Sequence, residues 1–213
     1  MSLWLLDWKY RKSITLSRAS GAVTNYQMQI LIGETSGASG ETVDCNGHCL
    51  DTFADLRFTK EDGFTLLDYW IEYVIGSSPN KLASVWVKFD SIGTEETTFY
   101  MYYGNSDASV YSNGTNTFIL FDDFEWGSNG DLISTSGGSI TWSSGNGAVI
   151  STEQKYAGTR SAKLPYHASN ANISTSLSGS DNNAFRFRVY KQTDIDWFYP
   201  LLHGNGSKCV YPI

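Results

Sequence analysis

Apolar residues recur at every second position through most of this 213-residue chain, the period of a strand that buries one face and wets the other. Ile14 and Leu16 alternate with Ser13, Thr15 and Ser17, and Tyr26, Met28, Ile30 and Ile32 repeat the pattern. Leu56 with Phe58, then Val85, Val87 and Phe89, then Phe99, Met101 and Tyr103 continue it. Each run ends in turn-forming residues, as at Glu61-Asp62-Gly63 and Gly76-Ser77-Ser78-Pro79-Asn80. No segment carries the apolar stripe of an amphipathic helix. Short strands between turns predict an all-β fold, an antiparallel sandwich or jelly roll rather than a parallel sheet.

The composition shifts near Asp107. Residues 107 to 117 are polar and turn-prone, Phe118-Ile119-Leu120-Phe121-Asp122-Asp123-Phe124-Glu125 opens a new stretch, and Ser, Gly and Asn are dense after it. The expected organisation is two antiparallel β-sandwich, jelly-roll-like units in tandem, residues 1–117 and 118–213. Strands of the second unit are expected at Ser139 to Trp142, Ala148 to Ser151, Ser161 to Leu164, Ala184 to Tyr190 and Asp196 to Leu202. A full jelly roll has about eight strands, so the closing strands are expected beyond Ile213 or from a partner.

Hydrophobic residues make up 41% of the chain and aromatic residues 15%, ample material for folded cores. A net charge of −7 with no basic run argues against nucleic acid, whose affinity rests on cations that neutralise phosphates. No apolar run reaches the roughly 18 to 20 residues of a transmembrane helix. Met1-Ser2-Leu3-Trp4-Leu5-Leu6-Asp7 lacks the cationic start, apolar segment and cleavage site of a signal peptide. Two expectations follow: Met1-Ser2-Leu3 replaces a natural leader, or the protein leaves its cell without one, as a virion component does at lysis. The sequons at Asn113, Asn172 and Asn205 agree with a surface location.

Cys45 and Cys49 frame Asn46-Gly47-His48 in a loop of small polar residues, where a disulfide can close a tight turn. Free thiols are one alternative. Zinc held by Cys45, His48 and Cys49 is another, although a fourth ligand is not visible. Cys209 has no evident intrachain partner.

The catalytic inventory is thin. His48, His167 and His203 are the only histidines, no Gly-x-Ser-x-Gly elbow occurs, and no phosphate-binding glycine pattern follows a strand. A glycosidase needs two carboxylates about 5 to 10 Å apart, and a pair such as Asp55 and Glu72 is expected by chance among 22 acids. Arg57 is expected to pair with Asp55 or Glu72 across neighbouring strands. Trp70, Trp86, Tyr102 and Tyr103 suit either a sugar platform or the core, with the core expected for most of them.

Four blocks, Trp8 to Leu16, Ala54 to Thr59, Tyr69 to Glu72 and Phe99 to Asn105, stand in an order and spacing that resemble the DUF2341 family of β-rich extracellular modules over roughly residues 4 to 118. Lys60-Glu61-Asp62-Gly63 resembles that family's acidic turn. The resemblance implies an architecture and carries no activity with it. Further on, Asp123-Phe124-Glu125 and Tyr156-Ala157-Gly158-Thr159-Arg160-Ser161-Ala162-Lys163-Leu164 resemble the opening of jelly-roll carbohydrate-binding modules and concanavalin-like domains. In those modules a glutamate of the opening strand helps hold a structural calcium against a carbonyl of the downstream Tyr-x-Gly loop. The resemblance therefore implies Glu125 as the first calcium ligand and Asp123 as the second, the alternative being acids that cap a strand end.

The working expectation is a non-catalytic extracellular or surface module for glycan binding or adhesion, with a polysaccharide, a glycoprotein or a protein partner. A structural or receptor-binding subunit of a virion or cell-surface assembly is the alternative. Sugar contacts are expected from exposed rings of Trp126, Trp142, Tyr166 and Trp197.

Overall fold

A computed structural model describes residues 4–17, 20–135, 140–145, 147–165, 172–175, 186, 201–203 and 208–210. The alternating segments become strands: β1 (Tyr10–Leu16), β2 (Val23–Gly33), β3 (Val43–Asp44), β4 (Arg57–Lys60), β5 (Leu66–Leu67), β6 (Tyr69–Ile75), β7 (Leu82–Ile92) and β8 (Thr97–Tyr103). They form two four-stranded sheets, ordered β1-β8-β4-β5 and β3-β2-β7-β6. Pairing is antiparallel except for the short β2–β3 contact, where Ile32 and Gly33 lie parallel to Val43 and Asp44.

The inward positions follow the period-two pattern. Ile30 and Ile32 from β2, Ala83, Val85, Val87 and Phe89 from β7, Phe58 from β4, and Phe99, Met101 and Tyr103 from β8 are buried in one core, with Ile14, Leu16 and Met28 against it. Aromatic edges lock the middle: Phe58 meets Tyr69 at 5.1 Å between ring centroids, and Phe89 meets Phe99 at 5.1 Å. Tyr26 continues the alternation but is exposed near the start of β2, where Asn25 stands at φ 50° with the register of Thr24 on Ser91 and Tyr26 on Phe89 unbroken.

Arg57 departs from its expected role. β4 and β6 belong to different sheets, so Arg57 and Glu72 are not cross-strand neighbours. Its guanidinium, 6% exposed as a residue, instead donates to the carbonyls of Leu56 at 2.6 Å, Ser109 at 2.7 Å and Ala54 at 3.2 Å. Trp8 and Tyr111 each lie 5.0 Å from it, so two aromatic faces cover the cation. Arg11 repeats the device nearer solvent, 4.5 Å from Trp4 and 4.3 Å from Tyr100.

After β8 the chain crosses to the outer side of the other sheet. Asn113 caps the short helix α1 (Gly114–Thr117), its side chain accepting from the Asn116 N–H at 3.0 Å. Phe118 and Phe121 then pack edge-on against Trp70 at 5.8 and 4.7 Å, and Phe118 reaches Trp86 at 5.7 Å.

Beyond this lie β9 (Ser143–Gly145), β10 (Val149–Ser151), β11 (Ser161–Lys163), β12 (Asn172–Ser174), β13 (Leu201–His203) and β14 (Lys208–Val210). Among the described residues they pair as three antiparallel ribbons, β9 with β12, β10 with β11 and β13 with β14. β10 and β11 fall where the pattern placed them, and β9 begins just after Trp142. Most of the expected strands Ala184 to Tyr190 and Asp196 to Leu202 lie outside the described residues, as do Asn205 and the side chain of Asn172. Ile133, Ala148 and Ile150 form a second, smaller core, flanked by Phe124, Trp126, Trp142, Ala162, Leu164 and Ile173.

Replacing Arg57 by Met keeps bulk but abandons three carbonyls, that of Leu56 in a buried hydrogen bond and those of Ala54 and Ser109 in part-buried ones. We expect a loss of about 1–3 kcal/mol, read as a lower urea midpoint with an unchanged slope.

Candidate functional site

One candidate lies at the end of the main core. Asn46 and Gly47 have φ of 51° and 76°, and the His48 N–H donates to the Cys45 carbonyl at 2.9 Å, the geometry of a tight reversal between Cys45 and His48. The reversal lays the His48 ring on Tyr10, 4.2 Å between centroids and 6° from parallel, and Tyr10 stacks on Tyr103 at 5.6 Å. Gly104, at φ 85°, makes room for this: a Cβ there falls 2.5 Å from the Tyr10 ring. Beneath the stack is an open depression of about 300 Å³, walled by Lys9, Tyr10, His48, Cys49, Asp55 and Ser106 among others. That volume is at the small end for ligand sites.

Asp55 sets the wall of this depression. It is fully buried, and its two carboxyl oxygens accept the Leu50 N–H at 2.9 Å and the Gly104 N–H at 2.7 Å. Cys45 and Cys49 are both free thiols, Cys45 buried and Cys49 half-buried. The hydrogen bond with Cys49 and burial push the Cys45 thiol well above its ordinary value. Burial likewise pushes the Tyr103 hydroxyl up to about 12.

A second polar centre sits on the outer face of the β3-β2-β7-β6 sheet. The Glu72 side chain is 7% exposed. It accepts the Trp86 indole N–H at 3.0 Å and the Ser84 hydroxyl at 3.2 Å, and Ser84 accepts from Gln29 at 2.7 Å. Arg186 lies 3.3 Å from the other Glu72 oxygen and 4.9 Å over the Trp86 ring.

The residues expected to bind sugar and calcium cluster differently. Trp126 and Trp142 are half-buried against the small core, and both indole nitrogens donate to one carboxyl group, Asp122, at 2.9 and 2.6 Å. Phe124, at φ 59°, donates its backbone N–H to the same group at 2.8 Å and stacks on Trp142 at 5.8 Å. Tyr166 and Trp197 lie outside the described residues. Asp123 is exposed and accepts the Glu125 N–H at 3.2 Å.

Glu125 does meet the Tyr156-Ala157-Gly158 loop, but through donors. One oxygen accepts the N–H groups of Thr159 at 2.7 Å and Arg160 at 2.8 Å, and the other accepts the Thr159 hydroxyl at 2.6 Å. Burial raises this carboxyl, and the Thr159 hydroxyl, the two N–H groups and the Arg160 charge more than offset it, holding it below its ordinary 4.5. Gly158 stands at φ 68°, where a Cβ falls 2.2 Å from the Glu125 oxygen. Among the described residues no three His, Cys, Asp or Glu side chains group as metal ligands would. The Asp122 junction and the Tyr10–His48 stack had no signal in the sequence, since each joins residues far apart in the chain or stacked by a turn.

The architecture is that of an all-β, sandwich-type protein. Within it, residues 52–144 match the family model of DUF2341, a domain of unknown function. The match takes in the blocks at 54–59, 69–72 and 99–105, leaves out the one at 8–16, and runs past residue 118 into β9. Comparison with curated proteins and with solved structures gave no match.

Glu125→Gln removes the charge from three hydrogen bonds and should cost about 1–2 kcal/mol at neutral pH. Because the folded carboxyl titrates below its ordinary value, this contribution is present above pH 4.5 and fades as pH falls through the folded pKa. The gap in Tm between wild type and variant should therefore narrow in acid. Gly158→Ala should cost a similar amount, and the double variant should lose less than the sum of the two.

Proposed function

We propose that the chain is a non-catalytic extracellular or surface module that recognises glycan, with the Tyr10–His48 depression as its binding surface. The observation that carries the reading is a stacked, solvent-facing ring pair beside polar groups in an open depression. A sugar has an apolar C–H face and a rim of hydroxyls, so it needs a flat ring for the first and nearby donors and acceptors for the second. The exposed His48 ring, backed by Tyr10, offers the flat face, and Lys9 and Ser106 stand at the same wall. The depression is too open to shield a reaction from water, which favours binding over turnover.

Trp126 and Trp142 enter this reading as supports of Asp122 rather than as the sugar platform. The carboxyl oxygens of Glu125 receive three donors and Glu125 does not line the depression, so in this reading sugar binding there does not call on a calcium at Glu125.

A glycan array of the full chain, run in calcium and again in chelator, tests the proposal. The expected result is retention of at least one sugar class in both buffers, with roughly tenfold weaker binding by His48→Ala, about 1.4 kcal/mol. Binding that His48→Ala leaves unchanged would place the site elsewhere. Absence of any bound sugar by the folded protein would turn the reading to a protein partner in an assembly. Polysaccharide turnover abolished by Glu72→Gln would refute the non-catalytic claim.

A further inference from the structure

The turn that presents His48 starts at one cysteine and ends beside another. Cys45 is fixed in the main core, its backbone N–H donating to the Gly33 carbonyl at 2.9 Å, and no part of it reaches solvent. Cys49 packs against the same core but also lines the depression. Between them the chain reverses through Asn46 and Gly47, and the Gly47 N–H donates to the Glu34 carbonyl at 2.8 Å, so the turn is pinned from both sides. The reversal, closed by the His48 N–H on the Cys45 carbonyl, returns the chain so that Cys49 packs against the same core that buries Cys45. A buried thiol beside a partly exposed one, joined by a short anchored turn, is an arrangement in which the two sulfurs have different access to a reagent.

We propose that Cys45 and Cys49 are a redox pair that closes a disulfide across the His48 turn, with Cys49 as the entry sulfur and Cys45 as the resolving sulfur. The oxidant is a small-molecule disulfide such as glutathione disulfide. Cys49, as thiolate, attacks one sulfur of the oxidant, forming a mixed disulfide and releasing one glutathione thiolate. Cys45 then gives up its proton and attacks the Cys49 sulfur, forming the intramolecular bond and releasing the second glutathione. Two protein thiols lose two protons and two electrons, and one small disulfide is reduced to two thiols. The order follows from access: the oxidant meets Cys49 through the depression and is kept from Cys45 by the core. Closing the bond ties both ends of the turn that holds the His48 ring on Tyr10. The proposal does not depend on what the depression binds.

The test uses the full chain with Cys209→Ser, which removes the third cysteine of the sequence. The protein is pulsed with glutathione disulfide, quenched in acid, alkylated and mapped by mass spectrometry. Early samples should carry glutathione on Cys49 alone, and late samples should contain a Cys45–Cys49 link with no alkylated thiol. The oxidised form should melt roughly 5 °C above the reduced one. Adding Cys49→Ser should leave Cys45 free of glutathione while the fold persists. Early glutathione on Cys45, or two alkylatable thiols after prolonged exposure to the oxidant, would overturn the proposal.

Discussion

A polar group taken out of water needs hydrogen-bond partners, and three such groups determine what must fold around the main sandwich. Asp55 is satisfied by the backbone of Leu50 and Gly104, and its own carbonyl accepts the Trp8 indole N–H at 2.6 Å. Arg57 requires the Ser109 carbonyl and the rings of Trp8 and Tyr111. Glu72 requires Trp86, Ser84 and Arg186. The segment before β1, the segment after β8 and Arg186, far along the chain, are each drawn in by one of these groups. An apolar core alone would hold the two sheets together without specifying where those segments lie.

Those strands of the two four-stranded sheets that face solvent on one side were legible because burial on one face writes a period of two into the sequence. β1, β2, β7 and β8 follow it closely. β6 does not: Tyr69-Trp70-Ile71-Glu72-Tyr73-Val74-Ile75 reads as nearly continuous aromatic and apolar residues. Tyr69 and Ile71 meet the main core while Trp70 meets Phe118 and Phe121, and the register breaks between Ile71 and Tyr73. A strand covered on both faces and interrupted by a bulge has no simple alternation to read. The parallel β2–β3 contact is equally silent, being two residues long.

The candidate sites divide by a similar rule. Glu125 and the Tyr156-Ala157-Gly158 loop were legible as a pair, because a motif carries its partner at a known distance along the chain. What the motif did not convey is that the loop meets the carboxylate directly, through N–H and O–H donors. Asp122 was visible as an acid, but not as the shared acceptor of Trp126 and Trp142, whose rings pack against the small core. The Arg57 pairing failed because Asp55 and Glu72 find other donors, which only the sheet topology decides.

The interval that matches DUF2341 is not by itself a closed set of strands. It begins at residue 52 and so omits β1 and β2, yet β1 pairs with β8 along seven residues from Tyr10–Tyr103 to Leu16–Thr97. β2 pairs with β7 from Val23–Ile92 to Gly33–Leu82, the longest register among the described residues. Without these partners β8 and β7 would each present an open edge with apolar residues on the inner face, a template for pairing with other chains. Residues 52–144 also end within β9, after the Phe118 and Phe121 contacts that cover Trp70. The physical unit therefore begins earlier than the matched one, at the N-terminal segment whose Trp4 and Trp8 cover Arg11 and Arg57. The Tyr10–His48 depression belongs to that larger unit, since Tyr10 opens β1 while Asp55 and Gly104 come from the matched residues.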